Sequence, residues 1–401
     1  MRIAMVSEHA SPLAALGEVD AGGQNVHVAE LSAALCRLGH EVVVYTRRDT
    51  PDLPDEVSVS GGYRVVHVPA GPATRIGKDE MLPHMGDFAA ELREHWAGAP
   101  PDVVHAHFWM SGLASILATR GLKVPVVQTF HALGTVKKRY QREADTSPVE
   151  RIPIERLVAN RAARIAATCT DEVGELTRLG VPRDRISVVP CGVDADMFSP
   201  GGTVDPHRIV ATGRLVARKG FDTIIAALAA LPGVELVIAG GPPGDRLDTD
   251  PQAGRLRRHA EEWGVADRVR LVGSVSRSDM PQLLRSAAVV VCTPWYEPFG
   301  IVPLEAMACG RPVVASAVGG LIDTVVHNVT GLHVPPRSSR ALAASLNQLL
   351  HDKVMNESYG MAGRDRAVAR YTWSRVARDT AAAYTRVCGD RRADQLVGEG
   401  Q

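Results

Sequence analysis

Trp295 to Val314 reads WYEPFGIVPLEAMACGRPVV, and the run before it, Ala288 to Cys292, is short, apolar and β-branched. Such a run suits a strand buried in a parallel sheet. Pro294, Pro298 and Gly300 then break any regular element. Pro303 suits the first position of a helix, Leu304 to Cys309 supply about two turns, and Gly310 with Arg311-Pro312 stops them. Two carboxylates, Glu297 and Glu305, therefore fall on a loop and a helix N-terminus at the carboxyl end of a strand. Doubly wound sheets bind phosphorylated ligands at that edge, because unpaired N–H groups and the helix dipole point there. A carboxylate beside those donors can accept from ribose or sugar hydroxyls while cations placed elsewhere hold phosphates. The plain alternative is a Glu305 that complements the helix dipole and a solvated Glu297.

With 401 residues the chain accommodates two domains of ordinary size. Lys plus Arg equals Asp plus Glu at 45, so no global field draws the protein to nucleic acid or an anionic membrane. The longest apolar run near a helix signal, Ile224 to Leu231, is far below the roughly 18 residues of a membrane span. Met1 to Val6 gives way to Ser7-Glu8-His9, so no secretory h-region is expected. Six scattered cysteines without a Cys-x-x-Cys pair read as small core residues of a reduced, cytoplasmic protein. His105 and His107 alternate on a strand and are read as facing opposite ways, so no metal site is expected.

Taken in order, strands are expected at Arg2 to Val6, Glu41 to Thr46, Tyr63 to Val68, Asp102 to Ala106, Val124 to Thr129, Arg164 to Cys169 and Ile186 to Val189. Between the first two, Gly22-Gly23 precedes a helix from about Gln24 to Leu38, and paired glycines let a ligand approach the backbone. Thr50 to Gly62 reads as turn, and Gly71 to Pro83 as a polar loop carrying Arg75 and Lys78. Thr129-Phe130-His131-Ala132 closes a strand and places His131 at the carboxyl edge of the sheet. From Lys137 to Arg164 there are eight Lys or Arg against four Asp or Glu, which is either a solvated helix face or a basic wall for an anionic acceptor. Val189 to Gly202 is rich in turn residues and reads as an interdomain crossing, with the boundary near residue 200.

The pattern restarts with strand Arg208 to Thr212, after which GRLVARKG, Gly213 to Gly220, places Arg214 and Lys219 at a strand-to-helix turn. Two cations there can neutralise a departing diphosphate. Strands follow at Glu235 to Ala239, Arg268 to Val272 and Pro312 to Ser316, then helices from Ser338 to Asp352 and Val354 to Ala369, a last segment from Tyr371 to Val387, and a frayed tail from Arg391. The fold class is α/β, with two doubly wound, Rossmann-like parallel-sheet domains. Residues 1–199 form the first, 200–370 the second, and 371–401 a C-terminal segment and tail.

EPFGIVPLEAMACGRPVVA resembles the Glu-x7-Glu signature of retaining nucleotide-sugar glycosyltransferases of the GT-B fold, family 4 type. The resemblance continues over most of the chain. It implies a central cleft, a C-terminal helix at Tyr371 to Val387 crossing back to the first domain, and a hexosyltransferase that needs no metal and no cofactor. A nucleotide-sugar donor, UDP-sugar favoured, would bind Gly22, Gly23, Arg214, Lys219, Gly273, Val275, Glu297, Phe299, Gly300, Ile301, Val302 and Glu305. His131, Arg214, Lys219 and Glu297 would carry catalysis, with front-face attack and the leaving phosphate taking the acceptor's proton. SPL, DAGGQNVHV, VHAHFWMSG and KKRYQREADTSPVERI further resemble D-inositol 3-phosphate glycosyltransferases of mycothiol biosynthesis. This implies a small-molecule acceptor held by Asp20, Asn25, Lys78 and Arg151, with Phe108 and Ala132 where that pattern carries Tyr and Thr.

Two missing hydroxyls would weaken a grip built on hydrogen bonds. A different polyol, a sugar phosphate, a natural-product aglycone or a lipid acceptor therefore competes with inositol phosphate. A nucleotide-sugar 2-epimerase and a binding-only protein share the donor pocket. A homodimer and association with a membrane surface are left open, and no nucleic-acid partner is expected.

Overall fold

The computed structural model describes residues 1–14 and 22–398, with side chains to residue 389. Two compact units emerge. Described residues 1–14, 22–190 and 373–398 form the first, and Cys191–Thr372 the second. The chain leaves the first unit at Pro190, ahead of the boundary near 200 drawn from turn composition. Val193 and Phe198 explain the difference, since both are buried in a core of the second unit and the Val193 N–H donates to Tyr371 O at 2.7 Å.

The first sheet comprises β1 (Arg2–Val6), β2 (Glu41–Arg47), β3 (Glu56–Ser58), β4 (Arg64–Val68), β5 (Val103–His107), β6 (Val126–Thr129), β7 (Arg164–Ala167) and β8 (Ile186–Val188), in the spatial order 3-4-2-1-5-6-7-8. All pairings are parallel except β3 with β4. β3 falls inside the stretch read as turn. It is a short edge strand, where a charged, half-exposed sequence suffices.

The second sheet comprises β9 (Asp205–Thr212), β10 (Glu235–Ala239), β11 (Val269–Gly273), β12 (Ala287–Cys292), β13 (Val313–Ser316) and β14 (Gly331–Val334), in the order 11-10-9-12-13-14, all parallel. β14 carries no expectation from sequence, being four residues that begin with glycine. β12 is buried at five of its six positions, as a Val-rich central strand covered on both faces requires.

The helix after β12 spans Ile301–Ala308, so Pro303 occupies its third position rather than its first. First-turn N–H groups have no intrahelical acceptor, which lets proline sit there without losing a hydrogen bond. At the C-terminus one helix runs Trp373–Gly398, through the segment read as frayed. Its Tyr384 is fully buried, with its hydroxyl 2.6 Å from His105 Nδ1.

Each sheet reverses its strand order once, between β1 and β5 in the first and between β9 and β12 in the second. The carboxyl ends of such neighbours diverge into loops on opposite faces and leave a crevice. In the second unit Arg214, Lys219, Glu297 and Glu305 lie on or just after those loops, and in the first Phe108 follows β5 while His131 and Ala132 follow the neighbouring β6.

Candidate functional site

In the second unit, β9 delivers Gly213, Arg214 and the turn Ala217–Lys219, while β12 delivers the loop to Gly300. The Trp295 N–H donates to Arg218 O at 2.8 Å. The guanidinium of Arg218 lies 5.3 Å from the Tyr296 ring centroid, and that of Arg337 3.8 Å from Trp295. Two glycines permit this closeness. Gly220 has φ of 75° and a Cβ there would lie 2.0 Å from Thr293 O. Gly319 has φ of 49°, and its Cβ would lie 2.3 Å from Glu297 O.

The loops bring Lys219 Nζ to 2.5 Å from Glu297 Oε2. Burial alone would raise the Glu297 carboxyl, but the charges of Lys219 and Arg218, with hydrogen bonds from Lys219 and the Phe299 N–H, hold it below its ordinary value. Glu305 sits in the helix at 4% exposure and accepts from Arg277, whose guanidinium lies 4.6 Å from the Phe198 ring centroid. Here burial prevails over Arg277 and raises the carboxyl. The two environments push the carboxylates apart: one is held ionised against a lysine, the other sits under a single arginine in a drier place. Arg214, in the same strand-to-helix turn as Lys219, is exposed. Gly273 and Val275 lie where the β11 loop meets Pro242, whose carbonyl accepts from the Ser274 N–H at 3.0 Å.

The crevice of the first unit is lined by imidazoles. His105 and His107 lie on one face of β5, with ring centroids 4.1 Å apart, and this corrects the opposite-face reading. Strand side chains repeat with period two, so positions two apart point the same way. His107 Nδ1 is 2.9 Å from His131 Nε2, and His27, from the helix Gly23–Arg37, has its centroid 5.2 Å from that of His131. Despite this gathering, no group of three or more His, Cys, Asp or Glu among the described residues has the geometry of a metal site. Burial, with repulsion from neighbouring rings where these add to it, lowers the pKa of all four: His27 to about 4, His105 to about 3, and His107 and His131 well below the ordinary value.

Hydrogen bonding orders these rings. Thr129 Oγ1 donates to Ala166 O at 3.0 Å and accepts from His105 Nε2 at 2.9 Å, so His105 Nδ1 is left to accept from Tyr384. His131 has φ of 61° and Phe108 has φ of 82° with ψ of 160°. The latter backbone region is nearly restricted to glycine and costs on the order of 1–3 kcal/mol, a strain that clusters at functional sites.

Beside this row, Phe108 contacts the His9 ring at a centroid distance of 4.7 Å and has the Arg151 guanidinium 5.2 Å from its own centroid. Arg151 is 2% exposed. It donates from Nε to Glu155 at 2.8 Å, to Ser147 Oγ at 3.1 Å and to Ala132 O at 2.7 Å. Lys137 is 2.9 Å from Asp145 and 3.9 Å from Asp79, and Arg139 forms a fork with Glu175 at 2.8 and 2.9 Å. Three of the eight cations in 137–164 are therefore engaged in local ion pairs, Lys137 with Asp145, Arg139 with Glu175 and Arg151 with Glu155, while Lys138, Arg142, Arg156 and Arg161 are exposed.

Residues 22–192 match the family described as glycosyl transferase 4-like domain, and residues 193–366 the family of glycosyl transferases group 1. The D-inositol 3-phosphate glycosyltransferase of Jonesia denitrificans is 37% identical, over 96% of each chain. Its counterpart in Mycolicibacterium smegmatis is 36% identical, over 98% of this chain and 92% of that one. The chain is a group 1 glycosyltransferase. The sucrose-phosphate synthase of Thermosynechococcus elongatus superposes with a TM-score of 0.89 at 31% identity, over 97% of this chain and all of that one. The glycosyltransferase therefore has the GT-B fold and takes its sugar, as a hexosyltransferase, from a nucleotide sugar.

Within the glycosyltransferase, Arg214, Lys219, Glu297, Phe299, Gly300, Ile301, Val302 and Glu305 all fall at the switch point of the second sheet. His131, Phe108, Ala132 and Arg151 gather in the first unit. Asn25 is buried and anchors its own loop, accepting from the Gly22 N–H and donating to Ser11 O, both at 2.9 Å. Gly22 caps the helix that begins at Gly23. Lys78 opens a short 3-10 turn, half-buried, and Asp20 lies outside the described residues. Sequence reasoning missed Arg277, which no motif marks, and the couple of Glu8 with His9. It also missed His27, whose DAGGQNVHV run drew attention only to its glycines. Among the described residues no helix is long and apolar enough to cross a membrane.

Proposed function

We propose that this glycosyltransferase retains anomeric configuration, works without a metal, and moves a hexosyl group from a UDP-sugar to a hydroxyl of a small polyol-type acceptor. The carrying observation is the Lys219–Glu297 pair at 2.5 Å, beside Arg214 in the same strand-to-helix turn. As the anomeric C–O bond breaks, charge develops on the diphosphate. Lys219 and Arg214 offset it, and fixed cations near developing charge are among the largest catalytic contributions. Glu297, kept ionised, turns its remaining oxygen to the donor sugar's hydroxyls. Arg277 steadies Glu305, whose second oxygen takes the ribose hydroxyls. His131, neutral at physiological pH, hydrogen-bonds the sugar without adding charge. The acceptor hydroxyl attacks on the face the diphosphate leaves, and its proton passes to the departing phosphate oxygen.

The test is a screen of UDP-, GDP- and ADP-sugars with D-inositol 3-phosphate or unphosphorylated polyols, in EDTA, read by mass spectrometry and proton NMR. An α-linked product from an α-linked donor, formed in chelator, supports the reading. A β-linked product or a strict metal requirement overturns it, and alteration of the nucleotide sugar alone would make the protein an epimerase.

A further inference from the structure

The glycosyltransferase has a buried carboxylate that the chemistry above does not use. Glu8 is the residue that follows Ser7 at the carboxyl end of β1, and it is 1% exposed. One of its oxygens is 2.7 Å from His9 Nδ1 and the other accepts from Ser111 Oγ, while its N–H donates to Ser111 Oγ at 3.0 Å. A carboxylate at Nδ1 orients the His9 ring with Nδ1 toward Glu8, leaving Nε2 for a hydroxyl.

His9 in turn touches Phe108 at 4.7 Å between centroids, and Phe108 lies against Arg151. The corner is therefore a row of carboxylate, imidazole, phenyl ring, guanidinium and a second carboxylate, Glu155. Arg151 is the one cation in that row, and all three of its nitrogens already donate, to Glu155, Ser147 and Ala132 O. Lys137, which shares Ser147 Oγ at 2.9 Å, is itself paired with Asp145. A phosphomonoester dianion entering this corner would meet in Arg151 a cation already paired with Glu155 and would add its charge to that of the nearby Glu8. Like charges brought together in a water-poor site cost several-fold to many-fold in affinity. A hydroxyl would instead find His9 Nε2.

We propose that Glu8 is a specificity-determining residue: with Phe108 it makes this corner the seat of an uncharged polyol ring and turns away the phosphorylated form. The proposal rests on the acceptor binding the first unit, as in the reading above.

The experiment measures binding of myo-inositol and of D-inositol 3-phosphate by calorimetry to the full chain preloaded with UDP, for wild type, Glu8→Gln and the triple variant Glu8→Gln/Phe108→Tyr/Ala132→Thr. Glutamine keeps the shape and the Ser111 contact, and UDP affinity reports that each variant is folded. Wild type should bind myo-inositol at least about tenfold tighter than its phosphate. Glu8→Gln should narrow that ratio about tenfold, and the triple variant should reverse it. A wild type that prefers the phosphate, a ratio unmoved by Glu8→Gln, or binding of UDP with neither ligand would each overturn the proposal. Failure to bind UDP would strike at the nucleotide-sugar reading instead.

Discussion

Acidification from pH 7 to pH 5 should unfold the first unit selectively. Its four clustered histidines are neutral in the fold, with pKa values at or below about 4 where numbers apply, against about 6.5 in an unfolded chain. Each binds a proton more readily when unfolded, so its contribution to stability is complete above pH 6.5 and is lost as pH falls toward the folded values. With 1.36 kcal/mol per pH unit and per proton, each histidine loses about 1.9 kcal/mol between pH 7 and 5, and four lose about 7.6 kcal/mol as an upper figure. That is comparable to the whole stability of many domains, roughly 5–15 kcal/mol. The second unit has no comparable row of buried histidines among its described residues, His333 being lowered mainly by burial, so that unit serves as an internal control. Fluorotryptophan labelling and 19F NMR during urea unfolding separate Trp96 and Trp109 from Trp263 and Trp295. The midpoint of the first pair should fall steeply at pH 5 and that of the second pair little. Equal shifts in both pairs, or imidazole resonances of the cluster titrating near 6.5, would refute the reasoning.

Lys219→Ala should lower turnover roughly 10²–10³-fold in a nucleotide-diphosphate release assay if the lysine offsets leaving-group charge, and near wild-type kinetics would remove it from that role. Glu305→Ala should mainly raise the dissociation constant for UDP, measured by calorimetry, with little effect on acceptor KM. Gly319→Ala places a Cβ 2.3 Å from Glu297 O at a positive φ, so donor binding should fall and thermal stability drop by about 2 kcal/mol or more. Tyr384→Phe leaves His105 Nδ1 without its donor and should cost about 1–3 kcal/mol in urea unfolding, without changing UDP affinity.

The donor half was legible because its chemistry is concentrated in short runs. GRLVARKG and EPFGIVPLE carry the cations, glycines and carboxylates in sequence, and each run follows a β-branched strand that fixes where it lands. Arg277 was not legible, since its contact with Glu305 joins the β11 loop to another helix and no spacing encodes it. The histidine row shows a different limit. His105 and His107 needed only the period of a strand, which was misapplied, whereas their meeting with His27, His131 and Tyr384 depends on sheet order and on a helix from the far end of the chain. The excess of basic residues in 137–164 does not tell which of them are paired, because composition counts charges without their partners. Glu175, which pairs with Arg139, lies outside that window.

The helix that begins at Trp373 has a consequence for biosynthesis. It supplies Tyr384 and Trp373 to the first unit, although every residue of the second unit is translated in between. A nascent chain that has emerged only through the second unit exposes His105 without its hydroxyl partner, along with the hydrophobic surface the helix covers. The first unit cannot complete itself in order of synthesis, as domains commonly do. It must wait, partly formed, until the last residues leave the ribosome, so an early stop codon near residue 370 would injure the end of the protein that was made first.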